Sequence, residues 1–282
     1  MRVFMSVDIE GVAGVTGWRH GRAGNPEYER ARRLMTEEAN AAIRGSFAGG
    51  ATGIDVADSH GPMRNLIAED LDERAMLIQG RPRPLSMAQG LTGQHDALIL
   101  IGWHAAAGAF GTLAHTVNNR AFATVRLNGR LVGEAGLFAG YAASLGVPLI
   151  AASGEDRLAE EVAGLAPAAR VIEVKRHIAA QSACSLSPAA ARAAIESGVG
   201  ESLAAMDRGT RAGAIFDAPF TLEIDMRDQL YADAASLMPG VQRVESERIA
   251  FESADFAAIL QVVNAASIMA GAMFADHLTP GA

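Results

Sequence analysis

Apolar positions along this chain fall into short, nearly continuous runs, separated by longer stretches in which they recur at helical spacing. The first run, Arg2–Val7, reads as a buried strand, and Tyr28–Phe47 reads as an amphipathic helix stopping before Gly49-Gly50. Thr52–Ala57 and Ala97–Trp103 repeat the strand signal. Phe122–Leu127 and Arg130–Gly133 flank Asn128-Gly129, a strong hairpin signal because both turn residues tolerate positive φ. A helix over Ala135–Leu145, a strand over Val147–Ala152, a helix over Glu155–Leu165 and a strand over Arg170–Lys175 follow. This alternation predicts an α/β fold, with a mostly parallel, Rossmann-like sheet and helices on both faces.

The pattern changes in the last third. Ser187-Pro188 opens an alanine-rich helix, with serine at the N-cap and proline in the first turn, where its missing N–H costs nothing. Ala214–Met226 holds a strand (FTLEIDM), Asp228–Leu237 a short helix, Ile249–Glu252 a strand and Ala254–Ala275 a closing helix. The expected division is an α/β metal-binding domain over 1–180, with an excursion around 81–120 into the second lobe, and a smaller α+β lobe with oligomer contacts over 181–282.

At 282 residues and 50% hydrophobic content the chain can bury a sizeable core. A net charge of -8 and a pI of about 5.4 argue against nucleic acid or an anionic membrane as the main partner. The single cysteine, Cys184, rules out an internal disulfide and fits a reducing compartment. The stretch between Arg2 and Asp8 is too short for a signal-peptide core, so a cytoplasmic location is expected. Phe256–Ala275 is uncharged, but Gln261, Asn264, Ser267 and many alanines favour a buried or subunit-interface helix over a membrane span.

Chemistry enters at the strand ends. In Ser6-Val7-Asp8-Ile9-Glu10-Gly11, Asp8 and Glu10 point to one side by the period of two and emerge at the carboxyl end of the first strand, where open α/β sheets hold ligands. Asp58 and His60 follow the second strand, His104 the third, and Glu134 the hairpin. Two imidazoles with several carboxylates suit Zn²⁺ or a similar first-row ion, Mn²⁺ and Co²⁺ included, and so many ligands make two metals plausible. A carboxylate such as Asp8 could bridge ions roughly 3.5–4 Å apart, and water acidified by them could attack a carbonyl or phosphoryl centre.

Each residue also has a plainer reading. Asp58 could cap a following helix, and Glu134 could be the favourable first-turn acid of its helix. His115, after the loop Gly108–Gly111, could lie on a mobile lid and move protons or stabilise an oxyanion, or could simply be a solvent-exposed loop histidine. His20, His95, His177 and His277 read as surface or structural. Gly11-Val12-Ala13-Gly14 lacks the remainder of a phosphate loop, and neither Gly-x-Ser-x-Gly nor His-Glu-x-x-His occurs.

Ser6-x-Asp8-x-Glu10-Gly11, Tyr28-Glu29-Arg30 leading to Met35-Thr36-Glu37-Glu38-Ala39-Asn40, Asp58-Ser59-His60, Gly102-Trp103-His104, the His115 segment and Val132-Gly133-Glu134 occur in an order that resembles the DppA-type D-aminopeptidases, nearly end to end. The resemblance implies two Zn²⁺ per chain bound by Asp8, Glu10, His60, His104 and Glu134, with Asp8 shared, and it carries no ligand role over to Asp58, which is left either to cap a helix or to support the ligands from behind. It also implies a two-lobed fold, a ring-shaped homodecamer and a catalytic His115, which the family treats as a nucleophile. Water activated by the metals accounts for hydrolysis without a covalent step, so acid/base or oxyanion duty is preferred for His115. Gly17–Pro26 and Asn118–Ala123 depart from the family pattern in regions that could face the substrate. The expected activity is hydrolysis of N-terminal D-residues, such as D-Ala, from short peptides. The alternatives are a dinuclear hydrolase of another amide or phosphoester, and a metal-containing peptide-binding accessory protein.

Overall fold

A computed structural model describes residues 1–278, with side chains through Phe274. The chain runs β1 (Arg2–Val7), α1 (Pro26–Ala48), β2 (Gly53–Asp58), β3 (Ala75–Ile78), β4 (Ala97–Trp103), β5 (Phe122–Leu127), β6 (Arg130–Leu131), α2 (Glu134–Ser144), β7 (Leu149–Glu155), α3 (Asp156–Leu165), β8 (Arg170–Ala179), β9 (Ser182–Ser185), α4 (Pro188–Ala204), β10 (Phe220–Met226), α5 (Gln229–Ala235), β11 (Gln242–Arg243), β12 (Arg248–Ser253) and α6 (Phe256–Leu278).

The first sheet has the order β3-β2-β1-β4-β7-β8-β9, parallel throughout except for β9, which returns antiparallel to β8. Every residue of β4 is buried, as expected for a central parallel strand covered on both faces. Successive residues of β1 divide between two cores. Val3, Met5 and Val7 join Ile43 of α1 and Ile195 of α4, whereas Phe4 joins Leu137 of α2, Leu158 of α3 and the second lobe. The expected mostly parallel sheet with helices on both faces is therefore present.

A second, antiparallel sheet has the order β11-β12-β10-β5-β6. Its hairpin turns at Asn128 (φ 49°) and Gly129 (φ 75°), the paired positive values that match the right-handed twist of its strands. This β5–β6 hairpin precedes residue 180 in sequence yet pairs with β10, so the smaller lobe draws on both parts of the chain. Its helix α6 is apolar and long enough to cross a membrane. Even so, Ile259, Leu260, Val263, Ala266 and Ala270 are buried in the shared core, while Ile268 is 52% exposed on another face.

Three short strands were not expected from the sequence. β3 lies at a sheet edge and leaves Met76 70% exposed, so its apolar run carries no alternation. β9 (SACS) and the two-residue β11 are polar or too short for periodicity to register.

The order of the first sheet reverses between β1 and β4, and there the backbones approach closely. Gly11 donates its N–H to the Gly102 carbonyl at 2.7 Å, and a Cβ on Gly11 would lie 2.0 Å from the Trp103 carbonyl oxygen. Gly102 has φ +74°, and a Cβ there would lie 2.2 Å from the Asp8 carbonyl oxygen. Glycine at both positions lets the two strand ends touch, bringing Asp8 and Glu10 beside His104.

Candidate metal centre

Six of the strand-end and loop residues singled out by sequence converge at this switch point. Asp8, Glu10, His104 and Glu134 are almost wholly buried, and the side chains of His60 and His115 are 11% and 12% exposed. The Asp8 carboxylate is central: Oδ1 lies 3.4 Å from His60 Nδ1 and Oδ2 lies 3.2 Å from His104 Nε2. Glu10 Oε2 completes one side at 2.9 Å from His60 Nδ1, and Glu134 Oε2 the other at 3.7 Å from His104 Nε2. Donor atoms of Asp8, Glu10 and His104 fall within one sphere of metal-binding size, as do those of His104, His115 and Glu134.

The unused ring nitrogens test the fit. A backbone carbonyl can only accept, so His60 Nε2, 2.7 Å from the Gly21 carbonyl, carries a proton, and His104 Nδ1, 3.0 Å from the Ala105 carbonyl, does too. Each imidazole thereby turns its other nitrogen toward the carboxylates, the arrangement in which a metal-binding histidine is held by its second nitrogen. Among the described residues, His104 Nε2 and Glu134 Oε2 are buried without a hydrogen-bond partner. Buried polar atoms facing one another unpaired are costly, and a divalent cation between them removes that cost. The residues fit a metal ion with nitrogen and oxygen ligands.

The protonation states agree. Burial alone would raise the Asp8 carboxyl, but the imidazoles of His104 and His60 outweigh it and hold it well below the usual carboxylate range. Burial disfavours charge on His104, yet Glu134, Asp8 and Glu10 raise it to about 10. The charge of Glu10 and contact with Asp8 likewise raise His60 well above its ordinary value against burial. Burial pushes the Glu134 carboxyl up to about 8.

Without metal, then, protons hold this cluster of charges together. Both His104 and Glu134 bind protons more tightly in the folded than in the unfolded chain, so their contribution is complete below the unfolded values near 6.5 and 4.5 and is lost as pH rises through about 10 and about 8. Above about pH 8 the lowered Lys175 opposes the His104 loss, so the metal-free protein should lose thermal stability mainly between about pH 6.5 and 8, and the metal-loaded protein, whose ions would replace those protons, should lose less. Thermal unfolding of both forms across that range checks this; equal slopes would contradict it.

His115 is packed rather than exposed. Its ring stacks on His104 at 4.2 Å between centroids and 8° between planes, with Trp18 edge-on at 5.6 Å. The simple solvent-exposed reading is thus corrected by the buried site closing around it. Nδ1 donates to the Leu113 carbonyl at 2.9 Å, which leaves Nε2 as the acceptor, 3.6 Å from Glu134 Oε1. Burial, with the charge of His104, pulls this imidazole down to about 4, so it is neutral near pH 7. Leu113 and Val117 flank it at φ 60° and 61°, left-handed values that bulky side chains rarely adopt and that often mark functional loops. The Val117 N–H donates to Glu134 Oε1 at 2.6 Å, tying this strained loop to the charged cluster.

Asp58 lies behind the cluster. No helix begins directly after it, and the short 3-10 turn at Ala68–Asp70 is capped by Ile67, so the N-cap reading fails; its carboxylate instead accepts from the Leu66 N–H at 2.7 Å and from Asn65 Nδ2 at 2.8 Å, shaping the turn that presents His60. Glu134 is at once a first-turn acid of α2 and a member of the cluster. His20 accepts backbone N–H groups from Thr16 and Gly17, His95 pairs with Asp55 at 2.9 Å, and His177 contacts Thr112, all structural roles. The side chain of His277 lies outside the described residues.

Sequence reasoning missed three supports. Trp18 sits in a polar stretch without periodicity. Glu155, buried at the end of β7, accepts from the Ala105 N–H at 2.9 Å and the Thr112 N–H at 2.7 Å, joining the loop of His104 to that of His115. The strand-end pattern that marks Asp8, His60 and His104 marks Glu155 too, but in the sequence it reads as the start of the helix that follows. Lys175 is buried on β8, next to the sheet edge, and donates to the carbonyls of Glu10 and Val15, and burial lowers it to about 8 against the pull of Glu155 and Glu38. A lysine at a strand end reads as solvated, so nothing in the sequence marks it.

Comparison with known proteins agrees with the geometry. The family model described as D-aminopeptidase matches residues 1–265. A D-aminopeptidase of Bacillus subtilis (strain 168) is 34% identical over 258 residues, covering 90% of this chain and 92% of the relative. The solved structure of the Zn-dependent D-aminopeptidase DppA from Bacillus subtilis, described as a self-compartmentalizing protease, superposes with a TM-score of 0.91 at 31% identity, covering 96% of this chain and 98% of that one. The chain belongs to the D-aminopeptidase family.

Proposed function

We propose that this protein is a zinc-dependent aminopeptidase that removes N-terminal D-residues, such as D-Ala, from short peptides, with two zinc ions per chain held by Asp8, Glu10, His60, His104 and Glu134. The observation that carries this reading is the Asp8 carboxylate between two imidazoles, each fixed through its far nitrogen to a backbone carbonyl. Zinc supplies Lewis acidity there, acidifying water and polarising the scissile carbonyl. The zinc dependence of the Bacillus relative supports the choice of metal, and the ligand types also accept Mn²⁺ or Co²⁺.

The chain's own residues do the rest. Asp8, with one oxygen toward His60 and the other toward His104, would serve both ions, and Glu10, His60, His104 and Glu134 would supply the remaining ligands. His115 keeps its proton on Nδ1 against the Leu113 carbonyl and has Nε2 free, so Nε2 takes a proton as water attacks and returns it to the departing amine. Trp18 holds that ring in place, and the cleft of about 220 Å³ around Asp8, Glu10, His60, His115 and Glu134 limits the water that reaches it.

The self-compartmentalizing relative and the exposed Ile268 on α6 support a homo-oligomer, which we propose to be a decamer. A lone exposed thiol, Cys184, fits the cytoplasm as its location. A panel of D- and L-aminoacyl peptides with an aryl phosphate tests the reading. We expect cleavage of the D-peptides, with L-peptides slower; cleavage of the phosphate alone would overturn the peptidase assignment.

A further inference from the structure

The metal cleft opens beside a second, larger cavity of about 750 Å³, and the two share Ser59, Gly61, Met87 and the run 117–120 as common wall. Its volume is that of a small-molecule site rather than a packing defect. Three arginines line it. Arg83 is buried, and its guanidinium is spent on the carbonyls of Gly80, Asp58 and Ile78. Arg81 is exposed, with a single 3.3 Å contact to the Gly61 carbonyl, and Arg120 is exposed on the wall shared with the metal cleft.

Arg120 is held in position, and among the described residues no acid of this cavity pairs with its charge. Its backbone N–H donates to Asn118 Oδ1 at 3.1 Å, and the Asn118 amide is tied to the backbone and hydroxyl of Ser267 on α6 at 3.2 Å. Its guanidinium lies 4.3 Å from the Phe274 ring centroid, which leaves its edge donors available. Among the described residues the lining of this cavity contains no Asp or Glu, in a chain with 32 acidic residues and a net charge of -8. Its charge is thus opposite in sign to that of the protein and of the carboxylate-rich cleft next to it.

We propose that this cavity receives the leaving portion of the substrate, and that Arg120, with Arg81, binds the free terminal carboxylate of a short peptide; this rests on the peptidase reading above. A peptide whose scissile bond lies in the metal cleft has its far end within one or two residues of that bond, at no more than roughly 3.6 Å per residue. A planar guanidinium recognises the carboxylate there through paired N–H donors. The surrounding Met63, Ile268 and Phe274 add apolar surface for the side chain of the released residue. The enzyme would accordingly favour di- and tripeptides with a free carboxyl terminus.

D-Ala-D-Ala and its carboxamide share the same scissile bond and differ only in the terminal charge. For the wild-type protein, kcat/KM for the acid should exceed that for the amide by roughly tenfold to a hundredfold, the range for a hydrogen-bonded charge, with KM carrying most of the difference. Arg120→Met combined with Arg81→Met should lower kcat/KM for the acid and bring the ratio toward one while zinc content stays at the wild-type level. Equal wild-type rates on acid and amide, or an acid preference that survives in the double variant, would overturn the subsite alone. Cleavage of neither compound by the zinc-loaded wild-type protein would overturn the peptidase reading and the subsite with it.

Discussion

Asp8→Ala is expected to purify without either zinc ion and to hydrolyse D-Ala-D-Ala at least about a thousandfold more slowly than the wild-type protein, a loss of roughly 4 kcal/mol of Lewis-acid stabilisation. The expectation follows from the two oxygens of Asp8, one facing His60 and the other His104, so that a single truncation would take one ligand from each of the two proposed ions. Of the two imidazoles Glu10 directly contacts only His60, although its carboxylate also groups with Asp8 and His104, and Glu10→Ala should weaken mainly one ion. Metal analysis of the two variants separates a bridge from an ordinary ligand: equal losses would contradict the central place given to Asp8. Circular dichroism of Asp8→Ala should match the metal-free wild-type protein, which keeps a folding defect from passing as a metal defect.

The second large effect is expected at His115. His115→Ala should retain both metals while kcat falls by roughly 10²- to 10⁴-fold, the usual contribution of positioned proton transfer. The ring has a free Nε2, a neutral state near pH 7 and two aromatic neighbours, His104 stacked on it and Trp18 edge-on. The same imidazole also lies within reach of a metal held by His104 and Glu134, so the zinc content of the variant decides between proton transfer and ligation. Loss of one zinc would make His115 a ligand, and unchanged turnover would remove it from the reaction.

Much of this site was legible in the sequence because parallel strands are easy to recognise and their carboxyl ends converge. Asp8, Glu10, His60, His104 and Glu134 could each be placed at the exit of an apolar run or hairpin, and the fold needed only to close those exits together. What the sequence could not carry was contact between distant segments. Trp18 meets His115 across nearly a hundred residues, and Lys175 reaches back to the Glu10 carbonyl, neither with any local periodicity to mark it. The β5–β6 hairpin was legible as a hairpin, but its place in the second sheet depends on pairing with β10, far along the chain. The role of Asp58 was settled only by the turn it organises, since a strand-end aspartate looks the same before a helix or a loop.

The most direct test is to titrate metal-depleted protein with Zn²⁺ while following D-Ala-D-Ala hydrolysis and bound metal together. Activity should be absent at the start and should reach its plateau at two zinc ions per chain. Full activity in the depleted protein, or a plateau at one ion with the second leaving the rate unchanged, would contradict a dinuclear centre bridged by Asp8.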